Sequence, residues 1–147
     1  VLDGVTHRGR RWQLRVASVH LENRPGARRL WVRAGAARSR QAAALLEALD
    51  VGPWPGVQPA GERADALVVG GDFNTWLGGR EDALDRLRAA FPAWSSEDRR
   101  ATMRGWLRLD HLFARLPRGT GAVHRRLDHR YGSDHYPVVA ALDFGAQ

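Results

Sequence analysis

Four short stretches of the sequence carry side chains of the kinds that do chemistry. Gly71-Asp72-Phe73-Asn74 sets a carboxylate and a carboxamide two residues apart. Where a strand ends, residues so spaced point to the same side, at the edge where ligands bind in α/β sheets. An Asx-type turn explains the same residues structurally, since Asp and Asn commonly follow a strand. Tyr131-Gly132-Ser133-Asp134-His135-Tyr136-Pro137 places an acid beside a histidine. A carboxylate is a hard ligand for Mg²⁺, and an imidazole titrating near neutrality takes a proton from water. Neighbouring side chains splay apart, so one can hold metal while the other meets a nucleophile. A solvated loop with a half-buried histidine is the plain alternative.

Leu109-Asp110-His111 puts an acid amid Leu109, Leu112 and Phe113. Burial of a lone carboxylate is heavily penalised, and a histidine partner relieves the penalty while fixing the imidazole tautomer. His135 is the candidate partner; an acid facing solvent from an edge strand is the alternative. His20 ends the run Val16-Ala17-Ser18-Val19-His20. Alone, a histidine at a strand end is an ordinary surface residue.

The elements that position these groups follow from hydrophobic period and punctuation. Val1–Thr6 and Trp12–His20 read as a hairpin across a turn at His7–Arg10, with Trp12, Leu14, Val16, Ser18 and His20 on one face. Residues 22–33 read as a loop. Ala34–Leu49 reads as a helix with Ala42, Leu45, Leu46 and Leu49 in one stripe. Gly52–Gly61 is Pro- and Gly-rich and reads as a loop. Ala66–Gly71 reads as a central strand, apolar on both faces. A helix over 81–90 follows, with Leu84 and Leu87 inward, then strands at Leu107–Phe113, Val123–Asp128 and Val138–Phe144. Interleaved strands and helices place the chain in the α/β (α+β) class, with a mixed sheet flanked by helices.

Composition bounds the answer. At 147 residues the chain is read as one domain, 1–147, with 44% hydrophobic and 27% charged residues, the balance of a globular protein. No apolar run reaches the roughly 18 residues of a membrane span. The absence of cysteine excludes disulfides, thiolate catalysis and cysteine-ligated zinc. The net charge of +7 suits a polyanionic partner. All 23 basic residues are arginine, however, and the pairs Arg10-Arg11, Arg28-Arg29, Arg99-Arg100 and Arg125-Arg126 are dispersed. The charge permits a phosphate-bearing substrate without establishing one.

Taken in order, Val19-His20-Leu21, Arg40-Gln41 on a helix, Gly71-Asp72-Phe73-Asn74, Leu109-Asp110-His111-Leu112-Phe113 and Gly132-Ser133-Asp134-His135-Tyr136-Pro137-Val138 resemble the endonuclease/exonuclease/phosphatase superfamily. That is the DNase I-like group of metal-dependent phosphoesterases, and the likeness runs from about Trp12 to Phe144. It implies a four-layer α/β/β/α sandwich and in-line attack of water on phosphorus with Mg²⁺ or Mn²⁺ as cofactor. The resemblance assigns Asp134 and Asp72 to metal, with Asp72 also handling a proton. It makes His135 the histidine that engages the nucleophile or phosphate and Asp110 the acid that orients it. Asn74 would hold a phosphate oxygen, and His20 would stabilise developing phosphate charge, a feature of the DNase and sphingomyelinase branches. The implied substrate is a phosphate ester: a nucleic acid, a phosphoinositide, a phospholipid headgroup or a nucleotide.

One part of the family pattern is missing. The opening strands that supply an Asn and a metal-binding Glu have no counterpart, and Glu22, Glu47, Glu62, Glu81 and Glu97 fall in loops or on helices. With Val1 first and Met103 the sole methionine, the expectation is the C-terminal portion of the family fold, with an incomplete metal site and impaired activity. Any secretory signal would lie upstream of Val1, so the compartment is not assigned. Two other functions fit: a non-catalytic relative that binds a partner, and an arginine-rich nucleic-acid-binding module. Trp76, Trp106 and Arg99–Arg104 are candidates to line a substrate cleft, whereas Trp31, Trp54 and Trp94 suit packing. His7, His111, His124 and His129 are read as structural or surface residues.

Overall fold

A computed structural model describes the backbone of residues 1–6, 8–9, 11–23, 28–51, 63–92, 98–103 and 105–144, and the side chains of all these except 28–33, 63–65 and 79. The elements are β1 (Leu2–Val5), β2 (Arg11–His20), α1 (Arg28–Ala48), β3 (Arg63–Asp72), a 3₁₀ turn (Gly78–Arg80), α2 (Asp82–Ala90), β4 (Asp110–Arg115), β5 (Gly121–Arg126) and β6 (Val138–Asp143). The class is mixed α+β. A four-stranded sheet runs β1-β2-β3-β4, and β5 pairs with β6 in a separate two-stranded sheet. β2 and β3 are parallel, joined through α1, whereas β1–β2, β3–β4 and β5–β6 are antiparallel. Among the described residues, no helix is long and apolar enough to cross a membrane.

The core lies on one face of the larger sheet. Leu67 and Val69 of β3 and Phe113 of β4 pack with Ala42 of α1 and with Ala83, Leu84, Leu87 and Ala90 of α2. Ala17, Val19, Leu45, Leu46 and Leu49 close around them. Ala66 to Val69 are all buried, so β3 is covered on both faces like a central strand.

Several boundaries and one pairing differ from the sequence reading: β3 starts at Arg63 rather than Ala66, and β5 spans Gly121–Arg126 rather than Val123–Asp128. α1 begins at Arg28, so residues 28–33 are helical rather than loop. The Pro25-Gly26 punctuation ends before them, and the Arg-Arg-Leu-Trp-Val-Arg run holds no helix breaker. β4 begins at Asp110 rather than Leu107, because the Thr102 hydroxyl accepts hydrogen bonds from the Leu109 and Asp110 amides, each at 3.0 Å. The small sheet also stands apart, where a single mixed sheet was expected. The loop at Gly52–Gly61, the ends of the 7–10 turn, and Trp54 and Trp94 lie outside the described residues, as do the side chain of Trp31 and those of Glu62 and Glu97.

Candidate functional site

The sheet register builds the site. His20 of β2 pairs with Asp72 of β3, and Asp72 pairs with Asp110 of β4. The three residues therefore form one row across three strands, on the same face. Strand alternation puts that row opposite the helices, because Val69 and Phe113, which pack against them, pair one odd step away.

Gly71 is what allows the strands to come so close there. Its φ is +147°, and a Cβ atom built on it would lie 1.9 Å from the Val19 carbonyl oxygen. Any side chain would push β2 from β3 beside the His20–Asp72 pair.

The fourth group arrives from the segment before β6. Met103 and His135 form an isolated antiparallel bridge, and the Tyr136 amide donates to the Thr102 carbonyl at 2.6 Å. His135 is thereby held over the end of β4, and its Nδ1 lies 2.7 Å from Asp110 Oδ2. A carboxylate only accepts, so Nδ1 carries the hydrogen and Nε2 is the nitrogen left for chemistry. Asp72, Asp110 and His135 each offer a donor atom, and these atoms lie within 4.8 Å of one another. A cavity of about 230 Å³ adjoins the pair, with Gly71, Leu112, Pro137 and Val138 in its walls.

The electrostatics match this crowding. Burial raises the pKa of Asp72, and the neighbouring Asp110 charge adds to the rise. The Asn74 amide and the charges of His135 and His20 oppose it. For His135, burial works to lower the pKa but is outweighed by the Asp110 hydrogen bond and by the Asp110, Asp72 and Asp134 charges, so the net direction is up. Both pKa values are raised, in two adjacent groups beside a cavity, and shifts of this origin cluster at functional sites.

Two expected residues sit differently. Asp134 is exposed and stands outside the three-residue cluster. Consecutive side chains in this turn diverge, so the inward turn of His135 carries Asp134 outward. Asn74 is 1% exposed, and its Nδ2 donates to the Leu21 carbonyl at 3.0 Å. It occupies a left-handed conformation (φ +49°), and its amide donates to Asp72 Oδ1 at 2.8 Å, which is an Asx turn. The amide group anticipated for phosphate thus ties the end of β2 to the end of β3. His20 is exposed beside Asp72. His111 and His124 are buried structural residues. His111 Nε2 lies 3.0 Å from Thr75 Oγ1, and its ring packs edge-on against Phe73.

The helix pair Arg40-Gln41 needs the same kind of revision. Arg40 is exposed, while Arg38 is buried and Gln41 accepts the Glu22 amide at 2.9 Å. Arg38 stands four residues before Ala42 of the apolar stripe; that spacing was the available signal. Thr102, which shapes the entry to β4, has no local signal, because its partners lie seven and eight residues away.

Of the cleft candidates, Trp106 is 87% exposed, whereas the Trp76 side chain is partly buried. Arg100 is committed to Asp98 and Asp128, at 2.6 and 2.5 Å. Arg126 lies over the Tyr136 ring at 4.0 Å.

The chain matches no family model, no curated protein and no solved structure.

Proposed function

We propose that this chain carries the catalytic row of a divalent-cation-dependent phosphoesterase of the DNase I-like kind. The observation that supports the reading most is the convergence of Asp72, Asp110 and His135 at one sheet edge, with the Asp110–His135 hydrogen bond at 2.7 Å. Asp110 holds the imidazole so that Nε2 can take a proton from the attacking water. His20, at the end of the same row, meets negative charge on the phosphate. Asn74 acts in this reading as a positioning residue, since its amide is engaged with Leu21.

The donor set fits a hard cation. Asp72 and Asp110 each keep one carboxylate oxygen beyond those bonded to the Asn74 amide and to His135. Mg²⁺ or Mn²⁺ is held in such sites by one or two carboxylates together with substrate phosphate. When bound, the ion supplies neutralisation of phosphate charge. The pair of carboxylates is a small set, in keeping with weak binding and reduced activity.

The test is hydrolysis of bis(4-nitrophenyl) phosphate with Mg²⁺. The expected outcome is turnover abolished by EDTA and by His135→Ala. Turnover that persists in the His135→Ala protein would overturn the assignment.

A further inference from the structure

A buried ion pair lies behind the site and touches nothing that reacts. Arg38 of α1 and Glu81, just before α2, are 2% and 1% exposed, with Arg38 Nη2 2.6 Å from Glu81 Oε1. Arg38 Nε also approaches Glu81 Oε2 at 3.4 Å, so the contact is a fork.

Each partner also holds a piece of main chain. Arg38 Nη1 donates to the Glu22 carbonyl at 3.4 Å, two residues beyond His20. Glu81 Oε1 accepts the Leu77 amide at 3.2 Å, in the turn that continues from Asp72 and Asn74. Gln41, one turn along α1 from Arg38, accepts the Glu22 amide. The two exits are further stitched together by Leu21 N to Asp72 O at 3.0 Å and by Asn74 Nδ2 to Leu21 O.

We infer that Arg38 and Glu81 are a positioning pair, which sets the exit of β2 against the exit of β3 and so keeps His20 beside Asp72. Energetics favour this over a role in general stability. Desolvation of both charges offsets most of their attraction, and apolar replacements of such pairs are commonly neutral in stability. What an apolar pair cannot do is anchor the Glu22 carbonyl and the Leu77 amide at once.

The experiment is amide hydrogen exchange on the Arg38→Met/Glu81→Leu double variant. Neither the Leu21 nor the Asn74 amide is bonded to the pair itself, so both report coupling. Expected is exchange at least about tenfold faster at Leu21 and Asn74, with Val69 of β3 and Phe113 of β4 unchanged and Tm within about 5 °C of the parent. Unchanged exchange at Leu21 and Asn74, or a uniform rise that includes Val69 and Phe113, overturns the inference. Should the double variant not fold, Arg38→Lys decides by the same comparison, because it keeps the charge and loses the fork. Hydrolysis is followed in parallel and rests on the proposed phosphoesterase activity: kcat is expected to fall about tenfold with KM little changed. A parent chain without turnover counts against that activity alone, and the exchange result still decides the positioning role.

Discussion

His135 Nδ1 and Asp110 Oδ2 stand 2.7 Å apart although 25 residues separate them in the chain. Two devices create the contact. The Thr102 hydroxyl fixes the start of β4, and the Thr102 carbonyl takes the Tyr136 amide, so one residue locates both partners. Asp110→Asn keeps the shape but lets the amide donate to Nδ1, which favours the wrong tautomer. Turnover is expected to fall about 10²–10⁴-fold, the range of a lost general base, with little change in Tm. Steady-state kinetics beside thermal melts check this, and equal losses in both would contradict a catalytic role.

Metal binding is expected to be weak. Asp72 and Asp110 are the two carboxylates in the cluster, each with one oxygen already engaged. Few charged ligands place affinity on the order of millimolar. Calorimetry with Mg²⁺ checks it: tight stoichiometric binding would contradict a site with so few ligands. Asp72→Asn should weaken the binding about tenfold or more.

Gly71 should tolerate no substitution. In Gly71→Ala the new methyl meets the Val19 carbonyl at 1.9 Å and the residue is held at a φ of +147°. Strain of this kind costs about 1–3 kcal/mol before β2 shifts. Urea denaturation is expected to show at least that loss; Gly9→Ala should lose less, because its φ of +79° strains an alanine too but no atom lies within 4 Å of a Cβ there.

The legible parts of this molecule were those set by local pattern. The apolar run before Gly70-Gly71 marked β3 as central, and the period of two placed His20 at a strand end. Asp110 as an acid needing His135 was readable because a carboxylate among Leu109, Leu112 and Phe113 requires a partner. What escaped depends on tertiary register. Asp134 and His135 are neighbours in sequence, and the bridge to Met103 with the Tyr136–Thr102 hydrogen bond brings His135 to Asp110. No local pattern shows that β2 brings the Leu21 carbonyl to the Asn74 side chain. Arg38 was hidden by the nearby Arg40, although the four-residue step from Arg38 to Ala42 of the apolar stripe identifies the buried face.

Asp98 provides a pH test at a distance from the proposed chemistry. Its carboxylate accepts the Arg100 side chain and the amides of Arg100 and Arg126, and the Arg100 hydrogen bond above all holds its pKa well below the usual carboxylate range. A depressed folded-state pKa means that the stabilisation is fully present above the unfolded value of roughly 4. It is lost as pH falls through the lower folded value. Asp98→Asn is therefore expected to have a lower Tm than the parent at pH 7, with the gap narrowing steadily below pH 4. Melting curves of both proteins from pH 7 down to about pH 3 decide the matter; a gap that stays constant or widens in acid would show that the Asp98 charge contributes nothing to stability.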